Sequence, residues 1–170
     1  NNKSGLIERD VLLDPYLSTK QVVIISGVRR CGKSSLLSII KTKLQLTESE
    51  YCYFNFDDER IVADIVVLND IYSLHIQKYG QDPIFFLDGI QVVPAWEKFV
   101  NRMYEKGCKF FVTGSNAHLL SSEIATSLTG RNKVLELYPF SFNEYLKFEK
   151  FSYTLDALSS KQESLLLGKL

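Results

Sequence analysis

The residues with the clearest chemistry in this sequence form one run, Gly27-Val28-Arg29-Arg30-Cys31-Gly32-Lys33-Ser34. It lies between the apolar stretch Val22-Val23-Ile24-Ile25 and the apolar-periodic stretch Ser35-Leu36-Leu37-Ser38-Ile39-Ile40. Strand, glycine loop and helix in that order, with G-x-x-x-x-G-K-S spacing, are the pattern of a phosphate-binding loop. Gly27 and Gly32 let the backbone N–H groups approach phosphate oxygens. Lys33 carries a charge that reaches the β- and γ-phosphates, the Ser34 hydroxyl can ligate magnesium, and the helix turns its positive end toward the anion. Arg29, Arg30, Cys31 and Ser35 complete the expected nucleotide contacts. The pattern predicts ATP and Mg²⁺ as ligands.

A second group supports the same chemistry. Phe85-Phe86-Leu87-Asp88 is an apolar run closed by a carboxylate, the form taken by a buried strand that holds Asp88 against a magnesium ion. Hydrolysis also needs a group that orients or deprotonates water, and the position after Asp88 holds Gly89, which has no side chain to do it. Asp57, Asp58 and Glu59 follow a neighbouring apolar run. They either substitute for that group or cap the next helix. Thr113-Gly114-Ser115-Asn116 places polar side chains after another strand, with Asn116 as candidate reader of the γ-phosphate and Ser115 as its backup or as a helix cap. Arg131, after Thr129-Gly130, is a candidate arginine finger, acting in its own subunit or a neighbour's. His75 and His118 have no partners in the pattern and are read as structural.

The elements that must position these residues follow from periodicity. A short helix or lid is expected within residues 6–17, near the nucleotide edge. Strands are expected at 22–25, 51–56, 84–88, 109–113 and 134–137, and helices at 33–44, 61–79 and 94–106, with Gly80 and Gly107 as stops. A polar, helical connection is expected over 117–130. Strands alternating with helices imply an α/β fold whose mostly parallel sheet is covered on both faces.

The 170 residues and 45% hydrophobic content suit one domain with a buried core, and the 20 basic and 20 acidic residues balance. That balance gives no global field to attract nucleic acid or an anionic membrane. Cys31, Cys52 and Cys108 lack metal-ligand or disulfide spacing, no apolar run reaches the length of a membrane span, and a reduced, cytoplasmic setting is expected. Residues 1–148 are read as the nucleotide-binding domain. The apolar run Leu165-Leu166-Leu167 has little chain after it to pack against, so 149–170 is read as the start of a further C-terminal region.

Several motifs together resemble one family. Gly-Val-Arg-Arg-Cys-Gly-Lys-Ser-Ser-Leu-Leu, Asn-Phe-Asp-Asp-Glu-Arg, Phe-Phe-Leu-Asp-Gly-Ile-Gln-Val-Val-Pro-Ala-Trp-Glu, Phe-Val-Thr-Gly-Ser-Asn, Leu-Thr-Gly-Arg and Pro-Phe-Ser-Phe-Asn-Glu-Tyr, spread over residues 21–147, are similar to the prokaryotic AAA-type P-loop ATPases related to archaeal ATPases and STAND-like NTPases. The resemblance implies a three-layer sandwich with a five-stranded sheet in the order 5-1-4-3-2. It also implies Walker A roles for Lys33 and Ser34, a Walker B role for Asp88, a sensor role for Asn116 and a Gly-Arg role for Arg131. The family usually has Glu where this chain has Gly89. Its members usually continue into winged-helix and nuclease-like domains, so DNA is expected as a partner only through a further C-terminal region.

Two functions fit these residues: a magnesium-dependent ATPase whose turnover drives a conformational change, and a nucleotide-gated module that recruits a partner, or a second copy of itself, with negligible turnover. A small-molecule kinase would need an acceptor pocket and an Arg-rich lid, toward which only Arg29 and Arg30 contribute. A GTPase is disfavoured because Asn132-Lys133-Val134-Leu135 lacks the Asp that reads guanine. On the Walker B reading, restoring Glu at position 89 is expected to raise turnover.

Overall fold

A computed structural model describes residues 6–114 and 128–149. They fall into two compact units, Val11–Pro139 and a smaller one containing residues 6–10 and 140–149.

The larger unit is built on five strands: β1 (Val22–Ser26), β2 (Tyr51–Asn55), β3 (Ile84–Asp88), β4 (Phe110–Gly114) and β5 (Asn132–Glu136). Every pairing is parallel and the order is β2-β3-β4-β1-β5, the expected 5-1-4-3-2 read from the other edge. All five residues of β1 and of β4 are buried. A strand buried on both faces has no polar side to alternate with, which is why these read as unbroken apolar runs.

Alternate residues of each strand feed two cores. Val22, Ile24, Phe85, Leu87, Phe110 and Val112 face one layer, with α3 (Ile65–Tyr79) and α4 (Trp96–Glu105). Val23, Ile25, Phe86, Phe111 and Leu135 face the other, with α2 (Lys33–Lys43). The β3–β4 register stacks Phe85 on Phe110, ring centroids 4.7 Å apart, and Phe86 on Phe111 at 5.1 Å on the opposite face. All four rings are fully buried, and each contributes on the order of 2 kcal/mol by leaving water.

Local differences from the expected boundaries have local causes. Helix α3 begins at Ile65, not at residue 61, because the Asp64 side chain accepts the Val66 N–H at 2.9 Å and caps the helix there. Gly80, at φ 70°, closes it as expected. Helix α4 starts two residues after Pro94, since a 3-10 turn over Ile90–Val92 and Ala95 at φ 56° come first. Strand β5 begins at Asn132, where the Val22 N–H meets the Arg131 carbonyl at 2.8 Å and opens the ladder earlier than the apolar residues suggest.

The segment before β1 forms only a one-turn helix, α1 (Asp14–Leu17). It sits at the N-terminal ends of the strands, not near the nucleotide edge. Lys109 donates to the Tyr16 carbonyl at 3.4 Å and to those of Thr19 and Gln21, and Lys133 donates to the Pro15 carbonyl at 3.0 Å.

In the smaller unit, α5 (Phe142–Phe148) starts with a capping box. Ser141 Oγ accepts the Glu144 N–H at 3.2 Å, and Glu144 accepts the Ser141 N–H at 2.7 Å. The same carboxylate accepts Arg9 Nε at 2.7 Å and the Asp10 N–H at 2.8 Å. Burial would raise the Glu144 pKa. The hydrogen bonds from Arg9, Ser141 and Asp10, with the Arg9 charge, outweigh it and hold the carboxyl at about 2.

Candidate functional site

At the C-terminal ends of β1, β3 and β4 lies a cleft of about 460 Å³. A parallel sheet delivers its loops and helix N-termini to this edge, where ligands bind in open α/β folds. Arg29, Arg30, Gly32, Lys33, Ser34 and Ser35 line one side of it, and Asp57, Asp88, Gly89, Gln91, Thr113 and Gly114 the other.

The loop side is shaped by two glycines with different duties. Gly32 sits at φ 97° and hands the chain to α2, so the first turn of an eleven-residue helix opens onto the cleft. Gly27 is required by space: a Cβ there would lie 2.3 Å from the Leu137 carbonyl oxygen and 2.8 Å from Cys31 Sγ. The Cys31 side chain is buried in the core beside Leu36 and Leu37, so Gly27 and Cys31 shape the loop from behind and do not line the cleft. Lys33 Nζ donates to the carbonyls of Gly27 at 2.9 Å and Val28 at 2.8 Å, so phosphate oxygens would compete for an ammonium already held by the loop.

The strand side centres on Asp88, which is only 3% exposed. Thr113 Oγ1 donates to its Oδ1 and the Tyr53 hydroxyl donates to its Oδ2 at 3.3 Å. Burial, the charge and hydrogen bond of Asp88, and the charge of Asp57 push the Tyr53 phenol up to about 12, so it stays a donor. Each carboxylate oxygen keeps a lone pair for a magnesium-bound water, and the Ser34 hydroxyl lines the same cleft. Hard oxygen donors, one carboxylate and one hydroxyl, fit magnesium, which keeps most of its shell as water and phosphate oxygens.

Gly89 has φ 69°, where a side chain is strained, and its N–H donates to Thr113 Oγ1 at 3.0 Å. A Cβ built on it would lie 2.7 Å from Asp57 Oδ1 and 2.8 Å from Asp57 Cγ. The Asp57 carboxyl therefore occupies the space into which a residue-89 side chain would start. Its two acidic neighbours are placed differently. Asp58 is engaged by Arg60, at 2.9 Å to Nε and 2.5 Å to Nη2, and Glu59 does not line the cleft.

Sequence reasoning missed Tyr53 and Gln91. Pairing of Asn55 with Asp88 puts Tyr53 two residues back on the neighbouring strand, within hydroxyl reach. Gln91 is three residues past Asp88, and the 3-10 turn between them brings it back to the cleft. Tyr53 is placed by strand register and Gln91 by a turn that the apolar pattern does not mark. Asn116, Ser115 and His118 lie outside the described residues. His75 is buried on α3, with Nε2 3.2 Å from the Ser49 carbonyl oxygen.

The structure does not bring Arg131 to the cleft. It immediately precedes β5, at the opposite end of the sheet, roughly 16 Å of strand away at about 3.3 Å per residue. There its Nη2 pairs with Glu105 at 2.7 Å.

Comparison with known proteins fits this geometry. The family model described as an AAA domain matches residues 19–146. This chain belongs to that family. As an AAA-type P-loop ATPase domain it is 39% identical to an uncharacterized protein of Methanocaldococcus jannaschii over 88% of this chain and 33% of the relative. It is 36% identical to an uncharacterized protein of Haemophilus influenzae, over 94% of this chain and 43% of that one. The AAA domain thus spans less than half the length of these curated relatives. Among solved structures, the Holliday junction branch migration motor RuvB of Thermotoga maritima aligns with TM-score 0.50 and 20% identity, over 76% of this chain and 42% of RuvB. AMPPCP-bound DnaA from Aquifex aeolicus aligns with TM-score 0.53 and 15% identity, over 85% of this chain and 50% of DnaA. At such identities the AAA domain shares their fold. Among its described residues no helix is long and apolar enough to cross a membrane.

Proposed function

We propose that this domain binds ATP with magnesium and hydrolyses it to drive a conformational change. The observation that carries the reading is the convergence of Lys33, Ser34 and Asp88, from two separate strand ends, on one cleft beside the N-terminus of α2. Backbone N–H groups of the loop and the Lys33 ammonium would hold the phosphates, and Ser34 with Asp88 would hold the ion. Bound there, magnesium would neutralise charge that builds on the phosphate oxygens. Asn116 is proposed as reader of the γ-phosphate, and Arg131 as a group that serves a nucleotide in a neighbouring copy.

The gated-module reading keeps one specific observation in its favour: residue 89, after the magnesium aspartate, has no side chain to act on water. On either reading the partner is a protein or a second copy of the chain, DNA enters only through a further C-terminal region, and the setting is cytoplasmic.

The test is titration calorimetry with magnesium ATP on this chain and its Lys33→Ala variant, followed by phosphate release. Loss of measurable binding in the variant and phosphate release by the parent are expected. Unchanged affinity in Lys33→Ala would count against the whole assignment, and binding without phosphate release would leave the gated module.

A further inference from the structure

We infer that Asp57, carried past the end of β2, supplies the carboxylate that orients and deprotonates the attacking water, the duty for which residue 89 has no side chain. The inference rests on the ATPase reading of the cleft and adds to it the group that acts on water.

The first support is position. With Asp57 Cγ 2.8 Å and Oδ1 2.7 Å from where a residue-89 Cβ would stand, the carboxyl enters the cleft at the root of the absent side chain, beside Asp88. Glycine at φ 69° is what leaves that volume open. The two positions are complementary: a larger residue at 89 would displace the Asp57 carboxylate.

The second support is fixation. Asn55 pairs with Asp88 in the β2–β3 register, and the Phe56 N–H continues the ladder to the Asp88 carbonyl at 2.8 Å. The Asp57 N–H then donates to Asn55 Oδ1 at 3.0 Å, a tight turn that fixes the backbone from which the side chain leaves. A group must be held in place to orient water, and these bonds tie Asp57 to the strand that carries Asp88.

The third support is open acceptor capacity. Among the described residues the Asp57 carboxylate accepts no hydrogen bond, whereas Asp58 is engaged by Arg60. Gln91 lines the same cleft, and its Oε1 is buried without a hydrogen-bond partner. A water molecule in the cleft can donate a proton, and the Asp57 carboxylate is an open acceptor for it. With one proton directed at Asp57, an oxygen lone pair is left for phosphorus. In the step itself the water oxygen forms a bond to the γ-phosphorus. The bond from that phosphorus to the β–γ bridging oxygen breaks, its electron pair leaves on ADP, and the water proton passes to the Asp57 carboxylate and on to solvent.

The test compares the parent with Asp57→Asn, Asp57→Ser and Asp58→Asn in three measurements: affinity for magnesium with a non-hydrolysable ATP analogue, steady-state phosphate release, and thermal melting. Asp57→Asn is isosteric at an exposed position, and Asp57→Ser removes the carboxylate in a second way. Both are expected to lower kcat about a hundredfold or more. KM and analogue affinity should stay within about threefold, and Asp58→Asn should keep the parent's turnover. If both Asp57 variants turn over within about threefold of the parent, the inference is overturned and the ATPase reading stands. A parent that binds the analogue and releases no phosphate overturns both. Loss of analogue affinity in the Asp57 variants at unchanged melting temperature assigns the residue to binding and also overturns the inference.

Discussion

Thr113 fixes Asp88 from the neighbouring strand: its hydroxyl donates to Asp88 Oδ1 while accepting the Gly89 N–H at 3.0 Å. Both bonds are buried, so β4 sets the aim of the carboxylate and of the peptide that follows it. Thr113→Val keeps the shape and deletes the hydroxyl, leaving a buried charged acceptor short of a donor and a buried N–H without an acceptor. A loss of about 1–3 kcal/mol in urea unfolding is expected, with weaker magnesium dependence of nucleotide binding. Thr113→Ser, which keeps the hydroxyl, should restore most of both.

Position 89 gives a prediction opposite to the one drawn from motif comparison. Supplying the missing glutamate looks like a repair, but its Cβ would meet Asp57 Oδ1 at 2.7 Å and its backbone would have to hold φ 69°. A second carboxylate would also sit against the first. Gly89→Glu is expected to cost about 1–3 kcal/mol in chemical denaturation and to give no gain in phosphate release. A variant as stable as the parent and faster would show that residues 57 and 89 do not compete for one volume.

In the smaller unit, Glu144 makes acid sensitivity specific. Its carboxyl is held at about 2 in the folded chain against an ordinary value of 4.5, so the unfolded chain takes up the proton first as pH falls. The stability it contributes is therefore complete above about 4.5 and is lost progressively as pH drops toward 2. Amide hydrogen exchange of α5 should accelerate across that window in the parent. Glu144→Gln, which cannot titrate, should exchange faster at neutral pH and show a flatter response.

Much of this architecture is legible in the sequence because its causes are local or periodic. The unbroken apolar runs of β1, β3 and β4 announce strands covered on both faces, and the glycine-lysine-serine spacing announces the loop whatever surrounds it. What the sequence hides depends on register between strands distant in the chain. Nothing near Tyr53 says that its hydroxyl will reach Asp88, or near Asp57 that its carboxyl will fill the place beside Gly89. Both follow from Asn55 lying opposite Asp88. Arg131 shows the converse: a Gly-Arg pair attracts a catalytic reading, yet its place just before β5 and its pairing with Glu105 keep it from the cleft of its own chain.

Gly27 touches the far end of the sheet's last strand. A Cβ there would stand 2.3 Å from the Leu137 carbonyl, and the Leu137 N–H is itself held by the Ser26 carbonyl at 2.7 Å. The phosphate loop thus leans on a strut, and the strut is the backbone that leaves the sheet toward Tyr138 and Pro139. Any side chain at residue 27 would therefore have to move that backbone or the Cys31 sulfur, so the glycine guards the end of the sheet as well as the loop.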